Sequence, residues 1–259
     1  AGVPLRIVTA PGKRELARVS LRTTQQVLPY YTRYFGVPYA LPKLDQLAVP
    51  STRWGAMEDW GLISYAENNL LVDPQRSGPR TVRGVYATVA HEIAHQWFGN
   101  LVTAASWEEI WLNEAFATWL ERKTTAHFNP DWKIPLQLRL PIDEAMALDA
   151  GAATRAIRSG PVRESAVFDV FDPITYAKGG SVLTMLEQLT GPETFRIGLA
   201  AYMKERRLSN ATAADLWHHI GQAAGRDLRA VAASWTDQPG FPLLQVASRC
   251  EAGRQTLSL

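Results

Sequence analysis

Two long stretches of this chain are apolar around most of a helical circumference, and they predict the buried centre of the fold. Tyr86 to Trp97, YATVAHEIAHQW, is one, and Trp107 to Arg122, WEEIWLNEAFATWLER, is the other. Arg14 to Phe35 also repeats at helical spacing, with Pro29 a predicted kink, before Val37 to Pro42 breaks into extended chain. Leu44 to Val49 and Gly61 to Tyr65 read as short strands. Downstream, Asp172-Pro173 is a helix start, Gly191-Pro192 is a stop, and Thr212 with Asp215 forms a capping box for a helix that ends before Gly225. There is no internal repeat and no low-complexity segment. The pattern predicts an α+β chain, mainly helical, with a small mixed β-sheet near the N-terminus.

Burial makes the charged residues of the first stretch informative. His91 and His95 are four apart, so a helix aims both imidazoles from one side, and Glu92 lies about a quarter turn away. Two readings remain open at this point: helix histidines satisfied by their neighbours, or two ligands of a metal ion with Glu92 as the base that activates its water. A buried, unpaired Glu beside two histidines is costly, and a metal removes that conflict. Catalytic zinc of the two-His, one-carboxylate type takes its acid from another element. Glu114 has Ile110, Trp111, Ala117 and Thr118 as its same-side neighbours and points inward. Glu108 and Glu109 fall in the first turn, where the helix dipole favours carboxylates without any ligand role.

His91-Glu92-x-x-His95, eighteen residues and then Glu114, with Trp97-Phe98-Gly99-Asn100 between, resembles the M1 class of zinc aminopeptidases. Gly55-Ala56-Met57-Glu58-Asp59 is similar to that family's GAMEN exopeptidase motif, and Tyr176-Ala177-Lys178-Gly179 to the segment bearing its catalytic tyrosine. These matches run in the expected order over about residues 13 to 240. The resemblance implies a thermolysin-like zinc metallopeptidase catalytic domain over 13–240. It also implies that residues 1–12 are the tail of an upstream β domain and 241–259 the start of a downstream β domain, both flanking domains being parts of a longer parent protein.

The roles implied by the resemblance are specific. One Zn2+ per chain is held by His91, His95 and Glu114, Glu92 accepts the proton of the zinc-activated water, and Tyr176 donates to the oxyanion. Gly55, Ala56, Met57 and Glu58 bind substrate, with Glu58 capturing the free α-amine so that one N-terminal residue is removed at a time. Asp59 departs from the Asn usual there. Because the upstream domain normally adds a polar group to the amine site, reduced activity is expected of the isolated fragment. Two alternatives are carried forward. An epoxide hydrolase-type relative has a different variant of the amine motif, and a non-catalytic scaffold derived from a peptidase typically lacks metal ligands that are present here.

Net charge is +2 with both signs interspersed over 259 residues, and the basic run Lys204 to Arg207 closes a helix, which argues against a nucleic-acid partner. The expected partner is a peptide with a free N-terminus. No apolar run reaches membrane-spanning length. One cysteine, Cys250, excludes an internal disulfide and leaves the compartment open. His127, His218 and His219 read as structural or surface residues, and Asn210-Ala211-Thr212 as a helix start more than a glycosylation sequon.

Overall fold

The computed structural model describes residues 2–52, 54–158, 160 and 162–258. Ala1 and Leu259, the outermost positions of the two predicted terminal β segments, lie outside them. Near the N-terminus, β1 (Leu5–Val8), β2 (Leu44–Val49), β3 (Ala56–Met57) and β4 (Leu62–Ala66) form one sheet in the order β1-β2-β4-β3. The first two pairings are parallel and β3 runs antiparallel to β4, so the sheet is mixed and β3 is an edge. Arg6 and Lys43 both pair with the buried Asp45 carboxylate, fastening β1 onto β2. α1 (Arg18–Phe35) bridges these strands and contains Pro29 without ending there, because Val27, Leu28, Tyr31 and Phe35 are all buried around it. A single turn, α2 (Glu67–Leu70), follows β4.

Helices dominate thereafter. α3 (Pro79–Ala94) begins two turns earlier than the apolar pattern predicts, at a proline in the first helical position, where a missing N–H costs nothing. α4 (Trp111–Phe128) is entered through a short 3-10 turn, Trp107–Glu109, so the predicted helix is right in kind and extends further at its C-terminal end. α5 (Ile134–Gln137) and α6 (Arg139–Asp149) lead into chain whose one regular piece among the described residues is a 3-10 segment, Glu164–Val170. Ile174–Lys178 is a π-helical turn running directly into α7 (Gly179–Thr190). α8 (Pro192–Arg206), α9 (Ala213–Ala224) and α10 (Arg229–Thr236) complete the helical part. α9 carries the predicted capping box at Thr212 and Asp215 and ends at a left-handed Gly225.

Two small pairings remain. β5 (Val102–Ala104) and β6 (Ser209–Ala211) pair in parallel, and β7 (Ala247–Glu251) with β8 (Arg254–Ser258) forms an exposed antiparallel hairpin. The core gathers α1, α3, α4 and α7, with Trp97, Trp111, Tyr31, Phe98 and Phe116 among its largest fully buried side chains. Tyr31 donates its hydroxyl to the Ala90 carbonyl at 3.0 Å, which fixes α1 against the helix carrying the two histidines. No helix among the described residues is long and apolar enough to cross a membrane.

Candidate metal centre and its surroundings

α3 and α4 lie side by side and run in opposite directions, since His91 meets Glu121 while His95 meets Asn113. That arrangement brings the three sequence-predicted ligands together. His91 Nε2 is 3.4 Å and His95 Nε2 3.5 Å from the same oxygen, Glu114 Oε2. One ligand atom from each residue lies within 4.8 Å of the other two. The other ring nitrogens are already engaged: His91 Nδ1 with Glu121 Oε2 at 3.1 Å, and His95 Nδ1 with Asn113 Oδ1 at 2.6 Å and the Phe98 carbonyl at 3.1 Å. Those acceptors favour protonated Nδ1, which leaves both Nε2 atoms facing Glu114.

The electrostatics fit a cation. Four carboxylates, those of Glu58, Glu92, Glu114 and Glu121, surround two imidazoles in a largely buried space. Burial opposes charge on His91, but Glu114 and Glu121 outweigh it and hold the ring well above its ordinary pKa. Burial likewise opposes charge on His95, and Glu58 with Glu114 raise it to about 9. Glu114 is buried too, yet the two imidazoles draw its carboxyl well below the usual range. Protons here occupy places that a divalent ion would fill, and two imidazole nitrogens with one carboxylate are the donor set zinc takes.

Glu92 is the exception. Burial, the dominant influence, pushes its carboxyl up to about 7, and Oε2 is buried without a hydrogen-bond partner among the described residues. A carboxylate held in that state is a competent proton acceptor.

β3 brings Glu58 to the other side of His95. Glu58 Oε1 accepts from Asn113 Nδ2 at 2.9 Å and lies 3.9 Å from His95 Nδ1. Its backbone carbonyl is pinned by Gln96 Nε2 at 3.1 Å and Asn100 Nδ2 at 2.8 Å. Gly55 and Met57 are exposed and Ala56 partly so, flanked by exposed Trp54 and Trp60. Gly99 permits the close approach of the turn after α3 to Asn113 on α4. Its φ is +117°, and a Cβ there would collide with the Asn113 side chain.

Tyr176 sits in the π-helical turn with its ring stacked near that of His91, centroids 6.1 Å apart at 21°. Burial raises its hydroxyl pKa far above the usual value, and Glu114 adds to the effect, so the group remains a hydrogen-bond donor. The turn is braced by Arg155, whose guanidinium binds Asp172, the Val170 carbonyl and Thr175 Oγ1. Asp172 Oδ1 in turn accepts from the Ile174 and Thr175 N–H groups.

Sequence reasoning passes over Asn113, Glu121, Gln96 and Arg155, which set the orientation of the predicted residues. Glu121 had one signal available, a spacing of seven residues, or two turns, from Glu114. Glu109 lies in the Trp107–Glu109 turn at the entry to α4, where it is buried and paired with Arg158. His127 stacks on Tyr30 and His219 is buried, and neither belongs to the cluster of His91, His95 and Glu114.

Residues 19–235 match the peptidase family M1 domain. The chain is 39% identical to bovine glutamyl aminopeptidase over 249 residues, covering 95% of this chain and 26% of that protein. It is 38% identical to aminopeptidase M1 of Arabidopsis thaliana, over 99% of this chain and 29% of the relative. It is also 38% identical to leucyl aminopeptidase of Saccharolobus solfataricus, over 93% and 31%. The chain thus spans roughly a quarter to a third of the length of these curated relatives. With a domain match that runs through both helices of the candidate centre, the chain belongs to peptidase family M1.

Proposed function

We propose that this chain carries the catalytic centre of a zinc-dependent aminopeptidase that removes the N-terminal residue from peptides with a free α-amine. The observation carrying this reading is the Glu58 carboxylate, held by Asn113 beside His95. An ammonium group at Glu58 leaves only the first peptide bond within reach of the His91, His95 and Glu114 cluster. His91, His95 and Glu114 would hold the zinc ion. When bound, that ion supplies Lewis-acid polarisation of the scissile carbonyl and makes water more acidic.

The chain's own residues account for the rest. Glu92 takes the proton of the attacking water and delivers it to the departing amine. Tyr176 donates a hydrogen bond to the oxygen on which negative charge develops, a contribution on the order of 3 kcal/mol for one such donor. Glu58 orients the substrate and disfavours blocked peptides, because its charge then remains without a cation. The exposed β3 edge, beside Gly55, Ala56 and Met57, offers backbone groups to an extended substrate. The reading carries with it a thermolysin-like arrangement for residues 13–240, with 1–12 and 241–259 belonging to flanking β domains of the parent protein.

The test compares release of a reporter from an aminoacyl substrate and from its N-acetylated form, alongside zinc content per chain. Cleavage of the free-amine substrate alone, at one zinc per chain, is expected. Equal cleavage of both substrates would remove the exopeptidase assignment, and a metal-free active protein would remove the zinc.

A further inference from the structure

Behind His91, on the side where its Nδ1 meets Glu121, a cleft of about 230 Å³ opens between the N-terminal half of α3 and the C-terminal half of α4. Arg80 and Arg83 line it from α3, and Glu121, Arg122 and Thr125 line it from α4. None of Glu58, His95, Glu114 and Tyr176 belongs to its walls. The cleft is therefore separate from the groups assigned to peptide hydrolysis, and its own lining decides what it binds.

That lining is short of acceptors. Glu121, its one carboxylate, is already engaged with His91 Nδ1 at 3.1 Å. Among the described residues, Arg80, Arg83 and Arg122 make no side-chain hydrogen bond or ion pair. Arg80 is exposed and water satisfies it, but Arg122 is partly buried against Gly180 of α7, and burial draws its pKa down. Thr125 is 2% exposed, and its Oγ1 has no hydrogen-bond partner among the described residues. Arg122 and Thr125 are three apart on one helix and share a side of it, as Arg80 and Arg83 do on the other. A desolvated guanidinium and an unsatisfied hydroxyl placed together are expensive unless an acceptor reaches both.

Charge and shape select that acceptor. Three guanidinium groups against one carboxylate leave a surplus of two positive charges, the charge of a phosphoryl dianion. A carboxylate presents its oxygens in one plane. A phosphoryl group presents them in a tetrahedral array, which suits guanidinium forks arriving from two helices together with a hydroxyl donor. Ile134 and Leu138 add an apolar side to the cleft, with room for a short organic group esterified to the phosphate.

We propose that this cleft is a binding site for a phosphoryl group, supplied by a small phosphate ester or by free phosphate. Arg83, Arg122 and Thr125 hold its oxygens, and Arg80 at the rim attracts the dianion from solvent. The site does not depend on the aminopeptidase reading, since it uses none of the groups that reading assigns.

Calorimetric titration of the full chain with inorganic phosphate, glycerol 3-phosphate and acetate, at fixed ionic strength, is the test. One phosphate per chain is expected, with a Kd below about 1 mM, and acetate should bind about tenfold more weakly or less. Arg122→Gln and Arg83→Gln are each expected to weaken phosphate by about tenfold, the size of one charge-assisted hydrogen bond, and Thr125→Val by about three- to fivefold. Arg122→Lys keeps the charge without the fork and retains part of the affinity. A melting temperature equal to the parent's identifies the folded variants, and Arg83, nearer the surface, keeps the test available if an Arg122 variant unfolds. Tighter binding of glycerol 3-phosphate than of inorganic phosphate assigns the site to an ester, and the reverse order assigns it to the free ion. Zinc also attracts phosphate, so the titration is repeated after chelation, where the same affinity is expected. Phosphate affinity that vanishes with the metal, that survives both arginine-to-glutamine substitutions, or that acetate equals overturns the proposal.

Discussion

At position 92 a carboxylate is 7% exposed, carries an unpartnered oxygen and has its pKa raised to about 7. Replacing it with Gln keeps the shape and removes both the charge and the capacity to accept a proton. The expected result for Glu92→Gln is a fall in kcat of about 10²- to 10⁴-fold, the usual span for a general base. Stability should move the other way. An acid whose folded pKa lies above its unfolded value weakens the fold once the pH exceeds the unfolded value, so at pH 8 the metal-free variant melts no lower than the parent. Unchanged kcat in the variant would contradict the assigned role, while a collapse in melting temperature would show that the loss of activity is structural.

Elements position these residues, and what was legible in the sequence divides along that line. His91, His95 and Glu114 were legible because both histidines share one helix and because Glu114 sits among apolar neighbours that force it inward. Asn113 and Glu121 were not, since their roles depend on which ring nitrogen faces them across two antiparallel helices, and that relation is set by packing. The start of α3 precedes the apolar pattern for a related reason. Arg80, Arg83 and Gly84 break the apolar pattern, while Pro79 marks the true beginning. The strand order β1-β2-β4-β3 was likewise hidden, because pairing joins residues about forty positions apart, as Leu5 with Leu44. The π-helical turn at Tyr176 has a similar dependence on distant groups. Asp149 at the end of α6 receives Lys178 at 2.8 Å and the Gly240 N–H at 2.8 Å, so it ties that turn to the chain leaving α10. Burial opposes ionisation of Asp149, and Lys178, Thr154 and Gly240 overcome it, leaving its pKa lowered. A lowered carboxyl pKa stabilises above the unfolded value near pH 4, and the contribution disappears as pH falls through the folded value. Asp149→Asn is therefore expected to cost on the order of 3 kcal/mol at pH 7, as removal of one partner from a buried ion pair does. In denaturant titrations the gap between variant and parent should close as the pH is taken from 5 toward 2. A gap that stays constant over that range would mean the carboxylate's charge is not what holds the turn.

Across the whole molecule, stability is distributed unevenly, and the C-terminal hairpin marks the low end. Residues 241–258 are all exposed, including Leu243, Leu244, Val246 and Leu257, whereas α3 and α4 bury Val89, Ile93, Trp111, Phe116 and Leu120 almost completely. Apolar burial is the main favourable term in folding, so a segment that contributes little of it adds little to the cooperative unit. The last hydrogen bonds to the helical body among the described residues come earlier, where Lys178 donates to the Gly240 carbonyl and Asp149 accepts from its N–H. Ending the chain after Gln245 keeps both. Such a truncation is expected to shift Tm by less than about 2 °C, equivalent to less than about 1 kcal/mol for a chain of this size, and to leave the proposed zinc binding unchanged. Amide exchange in the full chain should agree, with β7 and β8 exchanging through local opening long before α3 and α4. A fall of Tm by more than about 5 °C on truncation, or protection of the hairpin amides equal to that of α3, would show that the hairpin is part of the unit holding His91, His95 and Glu114 in place.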